Sequence, residues 1–176
     1  MNITLKNLKY SPSLSEETNA FTADVYVDGK KEGTASNHGT GGNTDIWPRE
    51  LEKRIDEYAK TLPPVVTDMM DPHDKTKPFT YAVNSDHIID ELVEAFLKAK
   101  DEARIEKKFK KDIATRILSV TNDGKLFTTK PFAPTDVARL LADKVYLAKQ
   151  SATGRVCLNL LPLADARSLW MKAVVR

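Results

Sequence analysis

The stretch Phe21-Thr22-Ala23-Asp24-Val25-Tyr26-Val27-Asp28-Gly29 decides how the N-terminal part of this chain folds. Phe21, Ala23, Val25 and Val27 alternate with Thr22, Asp24, Tyr26 and Asp28. A period of two is that of a strand with one buried and one wetter face. Asp28-Gly29 then turns the chain, because glycine reaches positive φ without steric cost. Lys31 to Asn37 is the returning strand. Upstream, Ile3 and Leu5, then Leu8 and Tyr10, suggest an earlier strand, and their phase flips near Lys6-Asn7, which predicts a bulge or a strand end there.

Downstream, the glycine-rich segment Ser36 to Thr44 runs into a helix. Pro48 suits its first position, where a missing N–H costs nothing. Ile46 and Leu51 are spaced as a hydrophobic staple, and Leu51, Ile55, Tyr58 and Leu62 form one apolar stripe. Glu50 with Arg54, or Asp56 with Lys60, can pair on the wet face. Pro63-Pro64 ends the helix, so residues 1–64 read as a β-β-β-α lobe.

Residues 65–84 read as a linker or long loop, with Pro72, Pro78 and the polar run Asp71-Pro72-His73-Asp74-Lys75, and a lobe boundary is expected there. A long helix follows over Asp86 to Lys111, about 39 Å at 1.5 Å per residue. Ile88, Leu92, Phe96, Ala99 and Ala103 form one stripe. Ile105, Phe109 and Ile113 form a second, out of phase with the first. A bend near Ala103 or a change of packing partner explains the shift. Asn122-Asp123-Gly124 marks a hairpin between Thr115 to Thr121 and Lys125 to Thr129. Pro134 opens a helix with Val137, Leu140, Leu141 and Val145 inward. Val156 to Leu161 is a strand or a buried approach to a last helix, which starts at Pro162 and carries Leu163, Ala166, Trp170 and Ala173 on one side. The fold class is therefore α+β: an N-terminal β-β-β-α unit, a long helix, a β-hairpin and C-terminal helices. Residues 85–176 form the second lobe, unless the whole chain is one compact domain.

The 176 residues carry 27 basic and 25 acidic side chains, a net charge of +2. A protein gripping duplex nucleic acid through its whole surface carries a larger basic excess, so such binding would need a local patch. The single cysteine, Cys157, lies in an apolar run and reads as a buried thiol suited to a reducing compartment. MNITLKNLKY has no apolar h-region and no stretch of about 18 apolar residues occurs, so a cytoplasmic protein without a membrane span is expected.

Four places hold residue types that carry chemistry. The glycine segment with Asn37, His38, Thr40 and Asn43 resembles an anion nest, but no Lys-Ser or Lys-Thr pair follows it as in a P-loop, and a loop requiring positive φ explains it too. Asp68, Asp71, His73 and Asp74 are metal-ligating types, yet none has a helical i, i+4 partner, and an exposed acidic loop with Lys75 accounts for them. No metal or cofactor is expected. Arg104, Lys107, Lys108, Lys110, Lys111 and Arg116 can track phosphates, although Glu106 and Asp112 interrupt the run and only Phe109 is aromatic within it. Cys157 has no histidine near it in sequence, the serines lack a nucleophile elbow, and the three histidines sit at loop or helix edges, so no catalytic residues are identified.

Val25-Tyr26-Val27-Asp28-Gly29-Lys30-Lys31-Glu32-Gly33 with Asn37, Gly39, Gly41 and Gly42, then Lys60-Thr61-Leu62-Pro63-Pro64, then Asn159-Leu160-Leu161-Pro162-Leu163 with Trp170, together resemble a family of small proteins from bacterial genomes, prophages and plasmids. No assigned activity or site residue comes with that resemblance; it implies the company of mobile elements. The β-β-β-α order is also similar to that of double-stranded-RNA-binding domains. That family has a helix before its strands and a lysine cluster at the start of the helix after them, where this chain has Ile46-Trp47-Pro48-Arg49-Glu50.

The reading of the sequence is a non-enzymatic binding protein, an accessory factor of a phage or mobile element that docks on a host protein, including a defence protein. Its contact loops would be Asn37 to Thr44 and Asp68 to Lys77, where long loops sit on well-specified elements. The alternatives are nucleic-acid binding through Arg104 to Arg116, and a metal- or phosphate-dependent enzyme built on the two loops.

Overall fold

A computed structural model describes residues 1–174 as a mixed α and β fold of two compact units, Met1–Ala99 and Lys100–Arg176. In the N-terminal unit, β1 (Ile3–Tyr10), β2 (Phe21–Val27), β3 (Lys30–Asn37) and β4 (Asp45–Trp47) form one antiparallel sheet in that order. Phe21, Ala23, Val25 and Val27 face its core, as the alternation predicts. The register of β1 on β2 shifts between Lys6 and Lys9, and Asn7 takes φ 52°, so the phase flip in the sequence is a bulge. The short edge strand β4 was not legible, because three residues cannot display a period.

Helix α1 (Arg49–Ala59) packs Leu51 and Ile55 into the same core as Ile46. Pro48, joined to Trp47 by a cis peptide bond, is the extended N-cap, one place earlier than the sequence suggests. The expected helical ion pairs are replaced by others. Arg49 pairs with Glu52 at 2.6 Å, Arg54 with Glu32 of β3, and Lys60 with Glu57 at 2.6 Å. Asp56 instead accepts the Ser85 N–H at 2.8 Å.

Residues 65–84 are not an unstructured connection: β5 (Val65–Met70) and β6 (Pro78–Tyr81) pair as a two-stranded sheet. Pro78 is tolerated because it opens its strand. Nor do the compact units divide there. They divide at Ala99/Lys100, inside α2 (Ser85–Thr115). That position explains the two stripes by a change of packing partner. Ile89 and Val93, with Ile88, Leu92 and Leu97, join the core of the N-terminal unit. Ile105, Phe109 and Ile113 join the core of the C-terminal unit. The first stripe is rotated from the expected one, leaving Phe96 42% exposed, since Ile89 and Val93 contact the core directly.

In the C-terminal unit, β7 (Leu118–Val120) lies between β8 (Leu126–Thr128) and β9 (Val156–Cys157). Gly124, at φ 80°, turns the β7–β8 hairpin as expected. The helix opened by Pro134 is two helices, α3 (Pro134–Ala142) and α4 (Lys144–Ser151). Asp143 ends the first and caps the second, accepting the N–H groups of Val145 and Tyr146 at 2.8 and 3.1 Å. Val145 is consequently exposed, not inward. Helix α5 (Leu163–Val174) buries Ala166 and Trp170 against Phe109, Leu118 and Leu158, with Leu163 exposed. Among the described residues no helix is long and apolar enough to cross a membrane.

Candidate functional site

The glycine loop is tied, and its first candidate residue is the knot. Asn37 is buried. Its Oδ1 accepts from Thr18 Oγ1 at 2.9 Å and from the Gly39 N–H at 2.8 Å. Its Nδ2 donates to the Gly42 carbonyl at 2.9 Å and to Thr44 Oγ1 at 3.3 Å. The Gly39 carbonyl accepts three N–H groups, from Glu16, Glu17 and Thr18. Gly39 has φ 89°, and a Cβ there would collide with the Leu14 carbonyl. Asn37 therefore holds the loop and offers no free hydrogen-bonding group to a partner, a correction to its place among the contact residues. His38, Thr40 and Asn43 remain exposed.

Thr44 carries the loop onto α2. Its N–H donates to Asp86 Oδ1 at 2.5 Å and its hydroxyl to Asp90 Oδ1 at 2.7 Å. Asp90 is held above the ordinary carboxylate range, first by burial and further by the nearby Asp86 and Glu94 charges, against the Thr44 hydrogen bond and His87.

The second loop is the tip of the β5–β6 hairpin. Asp71 Oδ1 accepts the N–H groups of His73 and Asp74 at 2.7 and 3.3 Å. Asp74 accepts from the Thr76 N–H and hydroxyl and pairs with Lys77 at 3.1 Å, hydrogen bonds that hold it below the usual carboxylate range. Both carboxylates thus serve their own turn, and among the described residues no group of ligands could hold a metal ion. His73 and Lys75 are exposed. The two expected contact loops are separate constructions within the N-terminal unit, each organised by its own hydrogen bonds.

The basic run is different, because the helix sorts it. At 3.6 residues per turn, Lys100, Arg104, Lys107 and Lys111 fall within about 60° of one another on the side of α2 opposite buried Phe109. All four are exposed. The acids that interrupt the sequence lie on the flanks. Glu106 binds Arg167 at 2.6 Å and Lys110 at 3.4 Å, and these hydrogen bonds hold it below the usual carboxylate range. Asp112 pairs with Arg116 at 3.3 Å. Arg116 also donates to the Thr129 carbonyl at 2.8 Å, so it fastens the end of α2 and leaves the phosphate-tracking set. Lys110 is likewise turned to a flank. Lys108 sits at the border of the face, its Nζ 5.8 Å from the Trp170 ring centre. Arg104 is paired with Asp101 at 3.2 Å, in an exposed contact that water and salt weaken.

Lys100 was missed in the sequence. Its helical angle from Phe109 is the signal that places it on the face, a relation that spacing along the chain does not display. The two units also differ in charge. The C-terminal unit has 16 basic and 8 acidic side chains, a formal +8, and the N-terminal unit has 11 basic and 17 acidic, a formal −6. The near-neutral total hides that separation.

Cys157 is half-buried, and burial pushes its thiol above the usual range, leaving little thiolate for nucleophilic chemistry. Comparison of the chain with family models, with curated proteins and with solved structures returns no match.

Proposed function

We propose that this protein binds nucleic acid through the C-terminal unit, with the Lys100–Arg104–Lys107–Lys111 face of α2 laid along a phosphate backbone. The observation that carries the reading is the separation of charge: the +8 unit presents a cationic helix face with Glu106 and Asp112 on its flanks and, among the described residues, only Arg104 ion-paired, to Asp101, while Asn37, Asp71 and Asp74 of the expected protein-contact loops are spent on their own loops. From Lys100 to Lys111 the face is about 16 Å long, which matches about five nucleotide steps of a strand at 3.4 Å each. The face holds three lysines and one arginine, the side chains that contact phosphates, and none of the amide or acidic side chains that read adenine or cytosine edges, so the binding is read as mainly backbone-directed. The test is fluorescence anisotropy with labelled oligonucleotides across a salt series. Four phosphate contacts give a slope of log K against log salt of about −3.6 on duplex and about −2.8 on single strands. A flat response would sink the reading.

A second reading, docking on a protein, is favoured by one observation. Val66, Met69 and Met70 of the β5–β6 hairpin are all more than 60% exposed, on a sheet of only two strands. An extended segment of a partner could pair with an open edge and cover them. Nuclease-treated pull-down with wild type and with Val66→Lys/Met70→Lys tests this. Stoichiometric capture lost in the variant supports it, and unchanged capture overturns it.

A further inference from the structure

The face of the β7–β8–β9 sheet turned away from the core of the C-terminal unit, where Ser119 is buried, carries at its β8 edge a cation close over an aromatic ring. The register pairs Ser119 with Phe127 on one side and with Cys157 on the other. Leu118, Val120 and Leu126 face the core of the C-terminal unit, so the alternation turns Phe127 to the opposite face. Phe127 does not belong to that core. It is half-exposed on the edge strand β8, and two cations lie near its ring. The Arg155 guanidinium carbon lies 3.5 Å from the ring centre, and Lys125 Nζ lies 5.4 Å from it. Arg155 reaches the ring from the residue before β9, across β7. Arg155 is itself half-exposed.

We infer that Phe127 and Arg155 form a stacking platform for an unpaired base of single-stranded nucleic acid. This inference rests on the reading of the C-terminal unit as a nucleic-acid binder. A guanidinium is planar and weakly hydrated, and stacks on an aromatic on one side and on a base on the other. Phe127 holds Arg155 flat, and Lys125 supplies a further cation for the adjoining phosphate. A base inside a duplex has no free face, so the platform discriminates for single strands. Stacking of this kind is indifferent to base identity, which suits a backbone-directed binder.

The experiment compares two single-stranded probes of equal length and charge, an oligothymidine and the corresponding abasic oligonucleotide, by anisotropy across a salt series. The wild type is expected to bind the oligothymidine about tenfold more tightly, the scale of one stacked base. Arg155→Lys keeps the charge and removes the plane. It is expected to lose that tenfold difference with the salt slope unchanged. Phe127→Leu should do the same, and Phe127→Trp should retain the difference. Thermal melts of all three variants identify any that fail to fold. Equal, salt-dependent binding of both probes by the wild type would overturn the platform and leave the nucleic-acid reading standing. Absence of binding to either probe would overturn both.

Discussion

Asn159 closes the end of α2 through Arg116, donating its amide to the Arg116 carbonyl at 2.8 Å. The same Nδ2 donates to the Ile113 carbonyl at 2.9 Å, and Oδ1 accepts the Leu118 N–H at 2.7 Å. The last carbonyls of a helix have no partner within it. Asn159 meets two of them and fixes the first residue of β7, so the Asn159-Leu160-Leu161-Pro162 stretch that stands out in the sequence serves the fold. Asn159→Ala should cost about 3 kcal/mol, at about 1 kcal/mol for each hydrogen bond lost. Urea unfolding measures it, and a loss under about 1 kcal/mol would mean that water replaces the side chain.

Gly39 and Gly42 lie in one loop and should answer differently to the same substitution. Gly39→Ala forces a Cβ onto the Leu14 carbonyl at a positive φ, and a destabilisation of about 2 kcal/mol or more is expected. A Cβ at Gly42 meets nothing within 4 Å, and Gly42→Ala should be nearly neutral. Thermal melts of the pair decide whether the loop is built or slack: equal Tm values would mean slack.

Asp90 should make the protein less stable as pH rises through a window just above the ordinary aspartate range. Its carboxyl is raised, mainly by burial, so the folded state binds the proton more tightly than the unfolded state does. Stability then falls with increasing pH between the unfolded and folded pKa values, and the penalty is complete above the folded one. In Asp90→Asn the side-chain oxygen still accepts from Thr44 and the penalty is gone. The variant should melt above wild type at neutral pH, by no more than a few degrees (about 1 kcal/mol or less, for a half-exposed group). The gap should close as pH falls below the window; a gap constant in pH would refute the assignment to Asp90.

The cationic face of α2 should make equal charge changes unequal in effect. Lys111→Glu should reduce the salt slope by about 1, since it contacts a phosphate in the proposed arrangement. Lys110→Glu, only one residue from Lys111 but turned to Glu106, should reduce it by well under 1. Equal effects at the two positions would mean that net charge, and not the face, governs binding.

Cys157 should be slow to alkylate in the folded protein. Burial raises its pKa, and the thiolate is the reacting species. Iodoacetamide labelling near neutral pH should proceed at least about tenfold more slowly than in denaturant. Comparable rates would show that the thiol is open and ionised.

Reading the sequence located most elements because their signals are local. The alternation of Phe21 to Val27, the turns at Gly29 and Gly124, and the phase flip at Asn7 each report on a few neighbouring residues. The shift between the Ile88 and Ile105 stripes was also visible, and it left a bend or a change of packing partner open; the two cores favour the second. What local pattern could not supply was the point of division. Residues 65–84 looked like a boundary because prolines and polar residues concentrate there, yet Val65–Met70 and Pro78–Tyr81 pair across them.

The candidate site was legible only in composition. The sequence by itself determined that lysines crowd the end of α2 and that a buried Phe109 fixes the orientation of that helix. Only tertiary structure decided which charges remain available. Glu106 is spent on Arg167, sixty-one residues away, and Arg116 on the Thr129 carbonyl. Asn37 and Asn159, conspicuous in the sequence, are consumed by the backbone groups they hold. Arg155 meets Phe127 because β7 brings β9 and β8 to its two sides. Local periodicity is set by which face each residue turns inward, whereas ion pairs and stacked rings are set by which distant segments arrive at that face, and a single chain of letters does not record the second.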